Sequence, residues 1–290
     1  MGLSLCNYST FVYMQAKHIV LSDWTKFGEG GFGESYNHVS NPDIMLKLYI
    51  ANRPQELAVQ EYERAAAVCA MGITTPRPLE LVEYEGRSGI VFERLKEKKS
   101  FSRLVADDPE HLEEYIAEFA GAAREFHLTP CDKDNFASQK DLIYKAIENC
   151  SLMPAEHKAA FLKAVSELPD ADTCLHGDFH IGNAVRSQGR TYFIDLGDFA
   201  YGDPRLDIAE FKLPVFLMNE ERTQEIFHMS KDLLVRCWKT FLKHYYGAQS
   251  DEEIQALDNS LNHFLAVNIA FMSTKVSSTS YLSGIAFRLL

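Results

Sequence analysis

The chain changes character near residue 94, and that change limits the folds open to it. Before it, apolar runs are short and broken by turn residues. Ile19-Val20-Leu21 leads into a glycine cluster, Ile44-Met45-Leu46-Lys47-Leu48-Tyr49 forms a second run, and Asn41-Pro42-Asp43 between them is turn chemistry. Residues 79–82 and 89–92 flank a Glu85-Gly86 turn and predict a hairpin. One segment differs: residues 55–70 are rich in Ala and Glu, lack Gly and Pro, and predict a helix closed by Gly72 and Pro76. After Arg94, helical spacing takes over. Leu112, Tyr115, Ile116, Phe119, Ala123 and Phe126 mark one face of a helix over 110–127. Helices are also expected over 139–150, 154–168, 204–218, 221–246 and 251–270. Strands first and helices afterwards predict an α+β fold in two parts: a β-rich part with one helix at 1–93, and a helical part at 94–290. Residues 1–17 read as an extension or a first strand.

One block resists the helical pattern. It runs His176-Gly177-Asp178-Phe179-His180-Ile181-Gly182-Asn183, then Phe193-Ile194-Asp195-Leu196-Gly197-Asp198, then Gly202-Asp203-Pro204-Arg205-Leu206-Asp207. An Asp such as Asp178 takes a proton from a hydroxyl. Asn183 and Asp195 carry hard oxygens that suit Mg²⁺ held against nucleotide phosphates. Taken singly, each of the three also fits a turn or a cap. His176 and His180 have the spacing of a metal pair on a helix, but Gly177, Asp178 and Gly182 break any helix there. His127 reads as a core histidine at a helix end. Upstream, Gly28-Glu29-Gly30-Gly31-Phe32-Gly33 has the freedom to bring backbone N–H groups against phosphates. A dinucleotide-binding turn needs a helix directly after it, whereas 34–39 read as extended, and no Gly-Lys-Ser/Thr is present. Lys47 is flanked by apolar residues on a strand and needs a helix carboxylate to orient it. Glu61 is the choice, with Glu56 and Glu63 as alternatives set by helix phase.

The three blocks, in this order and spacing, resemble the aminoglycoside phosphotransferase and choline kinase family, whose fold is protein-kinase-like. The resemblance covers about 18–210 and is tightest at 174–209. It implies a two-lobed fold with a hinge at Glu93-Arg94-Leu95, where Glu93 and Leu95 border the nucleotide base. It implies that Gly28, Gly30, Gly31 and Gly33 cover the phosphates of ATP, with GTP left open, and that Lys47 binds them. The family's Glu stands about one helix length before a stretch like Gly72-Ile73-Thr74-Thr75-Pro76, which favours Glu61. It further implies Asp178 as catalytic base, Asn183 and Asp195 as Mg²⁺ ligands, and a small-molecule hydroxyl as acceptor. Asp203 would cap the following helix and Asp207 would bond back to the loop. Two rivals stand beside this reading. Gly177 occupies the position where protein kinases carry Arg, and no Ala-Pro-Glu follows Asp195, which argues against a protein kinase-like enzyme. The presence of Lys47, Asp178, Asn183 and Asp195 together argues against a nucleotide-binding module without transfer activity. Past 210 no motif identifies the acceptor. Glu210, Glu220, Glu221 and Glu225 either face a cationic acceptor or form a solvated surface.

Charge narrows the partners. With 41 acidic and 29 basic residues the net charge is −12, which opposes binding to a nucleic-acid backbone and favours a cationic ligand. The cysteines, at 6, 69, 131, 150, 174 and 237, form no Cys-x-x-Cys pair, and scattered thiols suit a reducing compartment. No apolar run reaches the ~20 residues of a membrane span. A cytoplasmic protein without membrane partners is expected; oligomeric state is not specified.

Overall fold

The structure is a computed structural model that describes residues 16–30, 33–51 and 54–290. It divides into two compact units. One takes the described residues up to Ala66 and again over Pro76–Leu95; the other takes Ala67–Thr75 and Lys96–Leu290.

The first unit holds β1 (Lys17–His18), β2 (Trp24–Gly30), β3 (Gly33–His38), β4 (Ile44–Tyr49), most of α1 (Gln55–Ala70), β5 (Pro78–Tyr84) and β6 (Arg87–Glu93). The six strands form one sheet in the order β1-β5-β6-β4-β3-β2. Neighbours are antiparallel except β1 with β5. Alternation along β4 explains the lysine in its apolar run. Leu46 and Leu48 point to a face filled by Trp24, Tyr36, Val82 and Val91. Tyr49 packs on the other face with Leu81, Ile90 and Ala58 of α1. Lys47 lies two residues from Tyr49 and so shares the helix-covered face. Val20 is exposed, and residues 21–23 make a 3₁₀ turn. The expected strand at 19–21 is therefore displaced to Trp24, where the first buried ring among the described residues anchors it.

The second unit adds β7 (Lys99–Ser100), α2 (Phe101–Asp107), α3 (Leu112–Leu128), α4 (Gln139–Asn149), α5 (Ala155–Ser166), β8 (Thr173–Leu175), β9 (Ala184–Ser187), β10 (Arg190–Phe193) and β11 (Ala200–Gly202). These are followed by α6 (Arg205–Leu217), α7 (Glu220–Phe227), α8 (Lys231–Tyr246), α9 (Asp251–Ser260), α10 (Asn262–Ser273) and α11 (Thr279–Phe287). Its strands pair as two small sheets, β10-β9-β7 and β11-β8. One core is aromatic and centres on Phe119 of α3. The rings of Phe101, Phe179, Phe193, Phe211 and Phe241 lie 5.7, 5.2, 6.5, 5.9 and 5.4 Å from it, centre to centre. A second core joins α4, α5, α6, α10 and α11 through Ile143, Phe161, Leu213, Leu265 and Ala286.

Two expected helices are each broken in two. The 221–246 segment stops at His228, whose φ of 60° is left-handed, and restarts where the Ser230 hydroxyl accepts from Leu233 N–H. The 251–270 segment breaks at Leu261. There the buried ammonium of Lys212 donates to Asp258 O at 2.6 Å and to Asn262 Oδ1 at 2.8 Å, one on each side of the break. The helix expected from 110 begins at Leu112, after a 3₁₀ turn over Pro109–His111. Helices α2 and α11 were not expected; α2 has only 7 residues, too few for a periodic signal.

Phe119→Ala should therefore remove about 3–5 kcal/mol of unfolding free energy. Chemical denaturation of both forms checks this, and a loss under about 1 kcal/mol would show that the aromatic cluster is not the centre of the core.

Candidate active site

The non-helical block is held in place by one buried carboxylate. Asp207, in the first turn of α6, is 2% exposed. Its Oδ2 accepts from His176 N–H at 2.6 Å and lies 3.1 Å from His127 Nε2; its Oδ1 accepts from Gly177 N–H at 3.0 Å. His127 stands on α3, and its Nδ1 is 2.9 Å from the Tyr245 hydroxyl. Nε2–H thus donates to Asp207 and Nδ1 receives the tyrosine proton. His176 is fully buried, and burial lowers its pKa. Its Nδ1 accepts from Asp178 N–H at 3.3 Å, so its Nε2–H donates to Ile194 O at 3.0 Å. A neutral imidazole therefore ties the Asp178 loop to the residue before Asp195.

Gly177 has φ +82°, and a Cβ there would strike the backbone carbonyl of Asp198. The position admits no side chain, which is the physical content of finding Gly where protein kinases have Arg. At Gly182, a Cβ would lie 2.8 Å from the His180 ring, whose Nδ1 accepts from Gly182 N–H at 3.0 Å.

Hairpin β9–β10 brings two more of the sequence-predicted residues together. Ala184 faces Phe193 in its register, and Ile194 N–H donates to Asn183 O at 2.9 Å. Asn183 just before β9 and Asp195 just after β10 are thus neighbours. The Asn183 amide nitrogen donates to Asp178 O at 2.9 Å and to Asp178 Oδ2 at 2.8 Å. This leaves Asn183 Oδ1 as an oxygen donor. Asp195 adopts the left-handed conformation at φ 61°, tolerated by Asp better than by most residues, and its side chain is exposed. An amide oxygen and a carboxylate side by side are the hard donors that fit Mg²⁺. His180 Nε2 lies 3.7 Å from Asp178 Oδ1, and burial lowers the pKa of that imidazole.

The acidic residues after Asp207 separate into kinds. Glu220 accepts from Lys231 N–H at 2.8 Å, Glu225 pairs with Arg222 at 2.6 Å, and Glu221 is exposed. Glu210 is half-buried on α6, and burial together with the charge of Asp178 pushes its carboxyl up to about 8.

The remaining site candidates lie in the first unit. Lys47, opposite Ser35 of β3 and Ile90 of β6, donates to Glu61 Oε1 at 2.6 Å, with its ammonium 5.3 Å from the Tyr49 ring centre. Gly28 and Gly30 lie on β2, and Gly30 faces Gly33 at the start of β3. A Cβ on Gly33 would sit 2.5 Å from Leu48 O. Gly31 lies outside the described residues. Glu93 ends β6, paired with Arg77 at 3.1 Å, and Leu95 is buried where the unit ends. Asp203 accepts from Arg205 N–H at 2.9 Å, but the N-cap position of α6 falls on Pro204, one residue later than the sequence pattern places it. Sequence reasoning gave His127 no part in the site. Its separation of 80 residues from Asp207 carries no local signal.

The phosphotransferase enzyme family (APH) model matches residues 35–212. Methylthioribose kinase from Bacillus pumilus (strain SAFR-032) is 33% identical over 113 residues, covering 37% of this chain and 27% of that protein. The chain spans less than a third of the length of the curated relatives it matches. Among solved structures, a choline/ethanolamine kinase family protein from Mesorhizobium loti is 13% identical with a TM-score of 0.56, over 91% of this chain and 85% of that one. The streptomycin–ATP–APH(2")-IIa ternary complex is 14% identical, also with a TM-score of 0.56, over 91% and 90%. These likenesses establish the protein-kinase-like fold.

Two glycines with positive φ separate conformation from crowding. Gly189→Ala, where a Cβ meets nothing within 4 Å, should cost about 1–2 kcal/mol from the left-handed backbone alone. Gly177→Ala should cost clearly more, because the Asp198 carbonyl must also move. Equal denaturation midpoints for the two variants would show that the 177–198 approach is not tight.

Proposed function

This chain belongs to the phosphotransferase enzyme family, and on that premise we propose that it moves the γ-phosphoryl group of ATP to a hydroxyl of a small molecule. The observation that carries the reading is the joining of Asp178 to Asn183 by two hydrogen bonds, beside a hairpin end that presents Asp195. Asp178 orients the acceptor hydroxyl and takes its proton as the oxygen–phosphorus bond forms and ADP leaves. The bond from Asn183 keeps one Asp178 oxygen fixed, and the other faces the acceptor. Asn183 Oδ1 and the Asp195 carboxylate would hold a divalent cation, which supplies charge neutralisation on the phosphate oxygens when bound. Within the first unit, Lys47, oriented by Glu61, is the residue that would bind nucleotide phosphates. Gly28, Gly30, Gly31 and Gly33 cover them, and the backbone at Glu93 and Leu95 meets the base. The acceptor belongs to the small polar class that includes methylthioribose, choline, gentamicin and streptomycin.

The test is Mg²⁺-dependent ATP consumption against a panel holding those four compounds and ethanolamine, with GTP run in parallel. Asp178→Asn should lower kcat on the accepted compound by about 10²-fold or more while ATP affinity stays within about twofold. Loss of ATP affinity as the main effect would remove Asp178 from the base role. Asp195→Ala should weaken ATP binding in the presence of Mg²⁺ and leave Mg²⁺-free binding unchanged by calorimetry. Equal Mg²⁺-dependent affinity in both forms would remove Asp195 from the metal site. Wild-type ATP binding without turnover on any compound would favour a nucleotide-binding module.

A further inference from the structure

The helices after the Asp178 loop enclose a cavity that the proposed transfer chemistry leaves unused. It lies between α6, α8 and α9 and has a volume of about 300 Å³, at the lower end of the range for small-molecule sites. Val235, Trp238, Leu242 and Ile254 supply apolar wall. None of its lining residues belongs to the Asp178 loop or to the β9–β10 hairpin. Lys212, which lines it from α6, follows Asp207 by five residues, so the two stand ~140° apart around the helix. The cavity and the Asp178 loop therefore take different faces of α6.

One buried ion pair makes the polar end of the cavity. Asp258 Oδ1 accepts from Trp238 Nε1–H at 2.8 Å and lies 3.0 Å from Lys212 Nζ. The Lys212 ammonium also donates to Asp258 O and to Asn262 Oδ1, which engages its three protons. Asp258 Oδ2 accepts no hydrogen bond among the described residues, and 27% of the Asp258 side chain stays exposed. Two further lining residues, Lys239 and Asp251, are exposed and of opposite charge. A guest thus finds apolar wall and one carboxylate oxygen, with the buried cation already in use.

We propose that this cavity binds a small amphipathic amine, whose ammonium donates to Asp258 while its apolar body lies against Trp238, Leu242 and Ile254. A charge-assisted bond favours the ammonium over a neutral donor. An anionic guest meets the Asp258 carboxylate and gains nothing from Lys212, so it is rejected. The volume suits a single ring or a short branched chain and excludes a folded peptide segment. The site stands apart from the transfer reading, because an amine without a hydroxyl fills it and accepts no phosphoryl group.

The test uses the whole protein and three probes of one shape: 2-phenylethylamine, 2-phenylethanol and phenylacetate. Trp238 serves as the reporter, since the chain's other tryptophan, Trp24, packs in the sheet of the first unit. The amine should change tryptophan emission saturably, with a Kd of about 1 mM or tighter, and calorimetry should return the same Kd. At about ten times that concentration Tm should rise by about 2 °C. The alcohol should bind about tenfold more weakly, and phenylacetate should not bind. Val235→Phe, which fills the cavity from α8, should abolish the emission change. Asp258→Asn should weaken the amine about tenfold or more and leave the alcohol within about threefold. If Asp258→Asn does not fold, Val235→Phe decides alone. No saturable binding of the amine at up to about 20 mM would overturn the proposal, as would phenylacetate binding equally well. Wild-type affinity in Val235→Phe would place the amine elsewhere on the molecule and overturn it too.

Discussion

The non-helical block of the candidate site depends on how one carboxylate is satisfied. Asp207 collects three N–H donors, two from consecutive backbone amides and one from His127. Consecutive amides point to one acceptor only when the backbone turns sharply between them, and Gly177 supplies that turn with its positive φ. The carboxylate thus selects the loop conformation, and the loop places Asp178. Charge-assisted bonds in a buried setting are strong, and a buried charge stripped of its donors is costly. The same interaction therefore stabilises the unit and shapes its chemistry. His127 and Tyr245 extend the network onto α3 and α8, so the loop is referenced to the helical core as well as to α6.

A second layer acts through His176. Held neutral by burial, it bonds the Asp178 amide on one side and Ile194 O on the other. The Asp178 loop and the β9–β10 hairpin are thereby coupled through one ring. Asn183 provides a further link from the hairpin to Asp178. The proposed base and metal ligands are thus tied to one another by part-buried hydrogen bonds, a preorganisation of the kind that developing charge requires.

Much of this was legible in the sequence where the determinants are local. The bounds of α1 follow from 16 residues free of Gly and Pro and from the left-handed Gly72 beyond them. Lys47 betrayed its strand face by alternation, and the helix phase that left Glu56, Glu61 and Glu63 open resolves to Glu61 once α1 packs on β4. The loop residues were readable because Asp178, Asn183 and Asp195 lie within one short supersecondary unit. Features that need distant partners were not. The bond from Lys212 to the end of α9 reaches 46 residues along the chain, and the tie from His127 to Tyr245 spans 118. Periodicity cannot encode such meetings; only the packed core brings them about.

Phe119 carries a consequence for motion. Its ring touches those of α2, the Asp178 loop, β10, α6 and α8 at once. No one of these segments can swing outward without opening a void that the other four line, and close-packed interiors do not tolerate such voids cheaply. Local opening is therefore suppressed in the unit that holds Asp178. Amide hydrogens of the buried loop exchange with solvent only when the whole cluster comes apart, so the loop's protection is that of the unit's slowest-exchanging helices.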